Sequence, residues 1–150
     1  MIYIGIDPGE KGGIAGIMDL GGGRLVCAAG PYSPDELKKL AIDFHACDNI
    51  RCCLEQVHSM PKQGVKSTFE FGKSFGYIKG VLESFGIPYQ EVSPNKWKKE
   101  FSLIGKDKAA SIACAKRLFP GVSLIPEGCR VERDGPAEAL LMAEYARRHF

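Results

Sequence analysis

The sequence predicts an α/β domain in which one mixed sheet carries helices on both faces. Short strand-like segments joined by tight glycine turns open the chain, a pattern typical of antiparallel hairpins. Helical and strand segments then alternate, which is typical of parallel strands joined by right-handed crossovers. With 150 residues, the chain has the length of one domain with a sizeable core.

Five strands are predicted, three at the start of the chain and two between helices. The first ends at Asp7, and three consecutive glycines turn the chain between the second and the third. The fourth is apolar on both faces, as expected for a central strand. In order, the segments are YIGID, GIAGIMDL, RLVCAA, RCCLEQV and IPYQEV.

Five helices are predicted from apolar periodicity and capping residues. Ser33, followed by Pro34, begins the first helix. Ser67 and Glu70 have the spacing of a capping box at the start of the second helix, and Gly86 ends it. The segments are SPDELKKLAIDFHA, STFEFGKSFGYIKGVLESFG, SPNKWKKEF (with Trp97 interpreted as its anchor), KDKAASIACAKRLF and GPAEALLMAEYARRHF.

The composition is that of a soluble globular protein, with 45% apolar and 25% charged residues. No apolar run approaches the ~20 residues needed to cross a bilayer. The N-terminus lacks the features of a signal peptide, so we expect a cytoplasmic protein. The six cysteines form no C-x-x-C pair, and we interpret them as reduced thiols and not as zinc ligands.

A basic region lies in the second half of the chain, although the net charge is only +2. From Lys96 to Arg133, nine basic residues stand against four acidic ones, a local balance of +5. A polyanionic partner is one interpretation. A solvated face on a mildly basic protein is the other, and charge alone leaves both open.

Four acidic residues on three elements are candidates for a single site. Asp7 ends the first strand, and Glu55 lies near the end of the fourth, which this topology can place beside the first. Asp134 and Glu138 are four residues apart and share one face of the last helix. Carboxylates that converge either share protons or bind cations. Oxygen ligands select Mg²⁺ or Mn²⁺, and two such ions support in-line phosphoryl chemistry.

Each acid also has a simpler interpretation. Asp7 could accept backbone N–H groups in the glycine turn, Asp134 could cap the last helix, and Glu138 could be an exposed helical residue. Glu55 is harder to explain in this way, because the segment around it is otherwise apolar. Spacing alone leaves the metal-binding and the structural interpretations open.

Ordered motifs along nearly the whole chain resemble the RuvC-type Holliday-junction resolvases, in particular their viral members. The motifs are IGIDPG followed by GGIAG, then LEQV, FGKSFG and DGPAEALLMAEYARR. The resemblance implies one ribonuclease H-like nuclease domain over residues 1–150, a homodimer, and two Mg²⁺ ions per active site with Mn²⁺ as a substitute. It also implies paired nicks in four-way DNA junctions that leave 5′-phosphate and 3′-hydroxyl ends.

The resemblance assigns catalytic and metal-binding roles to the four acids. Asp7 matches the family's first-strand aspartate, Glu55 its fourth-strand glutamate, and Glu138 the second acid of the last helix. The two acids of the last helix are three residues apart in the cellular enzymes but four apart here. The four-residue spacing resembles the viral form, and on this basis Asp134 is assigned as the first acid of the pair.

The resemblance also points to basic and stacking residues that contact DNA. Lys108 and Lys98 fall near lysines that the family uses around the scissile phosphate. Lys108 is therefore predicted to be a catalytic residue together with the four acids. His58 stands where cellular members carry an aromatic residue that can wedge into the junction; an exposed loop residue is the alternative. The predicted DNA contacts are His58, Lys62, Lys66, Lys98, Lys106 and Lys108.

Three other functions compete with this prediction. GIDPGEKGGIAG also resembles the first phosphate loop of actin-like ATPases and sugar kinases, but those proteins enclose a nucleotide between two domains, which 150 residues do not supply. A non-catalytic DNA-binding module is disfavoured, because four acids hinder phosphate binding without metal. A nuclease with a broader range of branched substrates, or an RNase H-like nuclease, stays open.

Overall fold

The computed structural model describes residues 1–57 and 64–150. Within these ranges the chain forms five strands and five helices, and their predicted order is confirmed. The strands are β1 (Ile2–Asp7), β2 (Gly13–Asp19), β3 (Leu25–Pro31), β4 (Ile50–Glu55) and β5 (Tyr89–Val92). The helices are α1 (Pro34–Phe44), α2 (Val65–Ser84), α3 (Pro94–Glu100), α4 (Lys108–Leu118) and α5 (Asp134–His149).

The strands form one mixed sheet in the order β3-β2-β1-β4-β5. The first three strands are antiparallel, whereas β4 runs parallel to both β1 and β5. Ile6 of β1 is in register with Leu54 of β4, so the next residues of the two strands, Asp7 and Glu55, lie at the same edge of the sheet. The prediction that the fourth strand lies beside the first is confirmed.

Helices cover both faces of this sheet, as predicted. α1 and α2 pack on one face, where the buried residues include Ile4, Ile6 and Leu54 from the sheet. α3, α4 and α5 pack on the other face, and α5 contributes a continuous buried segment there, from Ala139 to Ala143. No helix within residues 1–57 and 64–150 is both long and apolar enough to span a membrane.

Glycines allow α5 to lie directly against β1 and β2. A Cβ atom at Gly5 would overlap the carbonyl oxygen of Ala139, and one at Gly13 would overlap the carbonyl oxygen of Gly135. An isolated β-bridge joins Gly12 to Gly135. These contacts bring the start of α5 beside the end of β1, and therefore determine which acidic residues meet.

The helix starts agree with the predicted caps at α1 but not at α2. The Ser33 hydroxyl accepts a hydrogen bond from the Glu36 N–H at 3.1 Å, as predicted. The capping box at Ser67 is wrong, because α2 begins at Val65 and Gly64 is its N-cap. The extended Gly64 backbone already presents its carbonyl to the N–H of Thr68, which starts the helix three residues earlier.

Candidate active site

The four predicted acids lie together at one edge of the sheet. Asp7 is the last residue of β1, Glu55 is the last residue of β4, and Asp134 and Glu138 lie in the first turns of α5. The charges of the other three acids all act on Asp7. Residues separated by up to 131 positions along the chain therefore form one electrostatic cluster.

Asp7 carries the largest electrostatic penalty of the cluster. Burial first, and then the charges of Glu55, Glu138 and Asp134, raise the pKa of Asp7 from 3.8 to about 8, while Lys98 opposes the rise. A carboxylate in this setting is short of positive charge. The interpretation in which Asp7 is simply satisfied by backbone N–H groups in the turn does not account for this response.

Glu55 is held by a tryptophan that the sequence analysis assigned only to helix anchoring. The Trp97 Nε1–H donates to Glu55 Oε1 at 2.9 Å, and the Trp97 side chain is completely buried. Burial raises the pKa of Glu55, and the Trp97 hydrogen bond opposes that rise. The available signal in the sequence was chemical, because a buried indole N–H needs an acceptor.

Two lysines pair with the acids of α5. Lys98 Nζ lies 3.3 Å from Glu138 Oε1, and Lys108 Nζ lies 2.5 Å from Asp134 Oδ2. Burial acts to raise the pKa of Asp134, but the hydrogen bond and charge of Lys108 outweigh it and the pKa lies below its ordinary value. Both lysines that the resemblance singled out therefore contact the acid cluster.

Neither acid of α5 has the purely structural role that its simpler interpretation suggested. Arg133 is the N-cap of α5, so Asp134 is the first helical residue and not the cap. The Glu138 side chain is only 14% exposed, and Ser111 Oγ donates to its Oε1 at 3.0 Å. Ser111 is itself buried and was missed by the sequence analysis, which treated α4 only as a helix.

A cavity of about 280 Å³ opens at this edge of the sheet. Asp7, Asp134 and Glu138 line it together with three predicted basic residues and Lys11, which the sequence analysis missed. Those three are Lys98, Lys106 and Lys108.

The remaining predicted DNA contacts lie elsewhere. Lys66 is exposed in the first turn of α2 and does not line this cavity. His58 and Lys62 lie outside the described residues.

The side chains of the cluster match a divalent cation in their chemistry but are not arranged as a preformed metal site. Within residues 1–57 and 64–150, no group of three or more carboxylate, imidazole or thiolate side chains is arranged to hold a metal ion. Lys98 and Lys108 instead pair with the α5 acids. The donors of the cluster are all carboxylate oxygens, which Mg²⁺ prefers, and Mg²⁺ is usually held by one or two carboxylates together with water and substrate phosphates.

No protein-family model and no curated protein sequence matches this chain. Solved structures do match it. The Thermus thermophilus RuvC structure has 18% identity and a TM-score of 0.61, and the match covers 99% of this chain and 96% of that one. T. thermophilus RuvC in complex with a Holliday junction substrate has 15% identity and a TM-score of 0.64, with the same coverage.

A third match is the yeast mitochondrial Holliday junction resolvase Ydc2, with 15% identity and a TM-score of 0.55. This match covers 97% of our chain and 77% of Ydc2. At these identities the likeness concerns the fold. The five-stranded mixed sheet with its flanking helices is the ribonuclease H-like fold of RuvC, as the sequence predicted.

Proposed function

We propose that this chain is a metal-dependent endonuclease that resolves four-way DNA junctions by paired nicks. The observation that carries the proposal is the convergence of Asp7, Glu55, Asp134 and Glu138 at one edge of the sheet. The fold match to a RuvC complex with a Holliday junction substrate supports branched DNA as the substrate.

The acids would hold Mg²⁺, with Mn²⁺ as a substitute and two ions per site. When bound, such ions stabilise the developing charge of phosphoryl transfer and activate the attacking water. Asp7 and Glu55 would supply ligands from the strand ends, and Glu138 and Asp134 from α5. Hydrolysis that releases the 3′ oxygen leaves a 5′-phosphate and a 3′-hydroxyl.

Lys108 is the side chain best suited to follow the scissile phosphate. It pairs with Asp134, yet its side chain is 73% exposed, so its ammonium can turn from the carboxylate to a phosphate oxygen. Lys98 is more enclosed, at 30% exposure, and would remain beside Glu138 and limit the repulsion between the acids. Charged donors of this kind position the phosphate without reading the base sequence.

A homodimer is part of the proposal, because paired nicks in two strands require two sites. The exposed face of α2 supports it as a candidate interface. A Cβ atom added at Gly72, Gly76 or Gly80 would meet no atom of the described residues within 4 Å. On the same helix, Val65 is 88% exposed and Phe69 is 69% exposed.

A cleavage assay on DNAs of different shape tests the proposal. Purified protein is incubated with end-labelled four-way, three-way and linear DNA, with and without Mg²⁺. We expect paired nicks in the four-way junction only with Mg²⁺, and their loss in Asp7→Asn. The matched control is Asp43→Asn, which changes an exposed aspartate on α1 and should nick normally.

Three results would contradict the proposal in different ways. Equal cutting of all three DNAs would indicate a nuclease without junction selectivity. Junction binding without nicking, unaffected by Mg²⁺, would indicate a non-catalytic DNA-binding module. Full nicking by Asp7→Asn would remove the acid cluster from the reaction.

A further inference from the structure

We propose that Trp97 is a positioning residue of the metal site, whose indole N–H fixes the Glu55 carboxylate beside Asp7. This inference rests on the proposed function, since it assumes that Glu55 is a cation ligand. The residues are 42 positions apart in the chain, and the Nε1–Oε1 distance is 2.9 Å.

The indole is held rigidly enough to orient its acceptor. Trp97 is 0% exposed and packs in the core between the sheet and α5. It lies on α3, which begins directly after β5, and β5 pairs with β4 so that Val92 is opposite Glu55. The acceptor ends β4, and the donor lies on the helix that follows the neighbouring β5, so the pairing of these two strands brings them together.

The acceptor of the indole N–H indicates that the hydrogen bond positions Glu55. An indole N–H is a donor only, and a backbone carbonyl would satisfy it at little cost. A carboxylate withdrawn from water, as the partly buried Glu55 is, costs more free energy than such a carbonyl unless it is paired. A sequence that needed only a filled core at this position could use an apolar side chain and would need no acid here.

A second acid of the cluster is held in the same way. Ser111 is 3% exposed, and its hydroxyl donates to Glu138 at 3.0 Å. Glu55 and Glu138 therefore each accept a hydrogen bond on one carboxylate oxygen from a buried side chain of a different helix. Outer partners of this kind orient metal ligands, and their removal typically costs about 10–100-fold in metal affinity or activity.

The chain offers a direct probe of this contact, because Trp97 is its single tryptophan. A ¹H–¹⁵N spectrum of this 150-residue chain should show one indole cross-peak. We expect Glu55→Gln to shift this peak, and we expect Mg²⁺ to shift it saturably in the wild type but not in Glu55→Gln. An indole peak that moves with neither change would overturn the inference.

The variant Trp97→Phe keeps an aromatic ring and removes the donor. We expect its Mn²⁺ affinity, measured by calorimetry on the protein alone, to fall about tenfold or more. In the Glu55→Gln background the same change should have no further effect on Mn²⁺ binding. Phe119→Leu is the matched control, because Phe119 lies in the same core but its ring has no N–H or O–H to donate to an acid, and this variant should bind Mn²⁺ normally.

The outcomes separate this inference from the proposed function. If Trp97→Phe folds and binds Mn²⁺ with wild-type affinity, the positioning role of Trp97 is overturned, but the proposed nuclease function still stands. If Trp97→Phe does not fold, the indole shifts of the wild type and Glu55→Gln decide. Coupled indole and metal responses in a protein that does not nick junctions would support the positioning role and refute the nuclease.

Discussion

The acids of the cluster differ in how well positive charge compensates their negative charge. Lys98 and Lys108 pair with the acids of α5, so these carboxylates are partly neutralised by the chain itself. Asp7 is partly buried among three like charges, and its pKa is raised to about 8. The position with the least compensated charge is the one at which a cation would stabilise the protein most.

The first prediction concerns the stability of Asp7→Asn without metal. Folded Asp7 keeps its proton up to about pH 8, whereas an unfolded aspartate loses it near 3.8. The folded state binds more protons between these values, so the stability of the wild type should fall as the pH rises from about 4 to 8. Asp7→Asn should remove much of this dependence on pH. At pH 8 its free energy of unfolding should be about 2–4 kcal/mol higher than that of the wild type.

Urea unfolding in a chelator at pH 5 and pH 8 measures this difference. Asp43→Asn, on an exposed position of α1, should follow the wild type at both pH values. An Asp7→Asn protein less stable than the wild type at pH 8 would mean that the carboxylate is well compensated in the fold.

Among the elements, α5 determines whether the site exists. Its N-terminal turns carry two of the acids, and its body is buried against β1 and β2 through glycine contacts. The strands place Asp7 and Glu55 at one edge, but only the close approach of α5 adds Glu138. The fold and the site are therefore sensitive to the same few backbone contacts.

The second prediction compares two glycines on adjacent strands. A Cβ at Gly5 would overlap the backbone of α5, whereas a Cβ at Gly16 would meet no described atom within 4 Å. We expect Gly5→Ala to lower the free energy of unfolding by about 3 kcal/mol or more, and Gly16→Ala to be near neutral. Chemical denaturation followed by circular dichroism measures both, and equal stabilities would contradict the described packing of α5.

Local signals in the sequence were sufficient for the elements but not for all contacts between them. Alternating apolar residues, Ser33 and Gly86 predicted where strands and helices lie, because these signals act within a few residues. The start of α2 was wrong because Gly64 caps the helix through its backbone, which leaves no side-chain signal. The hydrogen bond from Trp97 to Glu55 depends on strand neighbours that only the assembled sheet defines.

For the molecule as a whole, lysines are concentrated around the acid cluster. The cavity at this edge is lined by four lysines and four acids, namely Lys11, Lys98, Lys106 and Lys108 with Asp7, Asp107, Asp134 and Glu138. α1 lies on the opposite face of the sheet, where Glu36 and Asp43 accompany the exposed Lys39. With its acids neutralised by bound cations, this edge would present an excess of lysines and would favour a polyanion more than the α1 face does.

The third prediction is a difference in salt dependence between two lysine variants. Lys106→Ala should weaken binding to junctions of any sequence and reduce the slope of log affinity against log salt concentration by about 1. Lys39→Ala, an exposed lysine of α1, should leave both quantities unchanged. Fluorescence anisotropy with labelled four-way DNA across a salt series measures them, and equal effects of the two changes would place the DNA surface elsewhere.

The proposed function requires that the ends of β1 and β4 and the start of α5 form one cation site. Anomalous diffraction from crystals soaked in Mn²⁺ locates such ions without reference to any activity. We expect an anomalous peak within bonding distance of Asp7 and of Glu55 or Glu138, and we expect that peak to be absent in Asp7→Asn. Manganese bound only at other positions, in crystals where this edge is open to solvent, would contradict it.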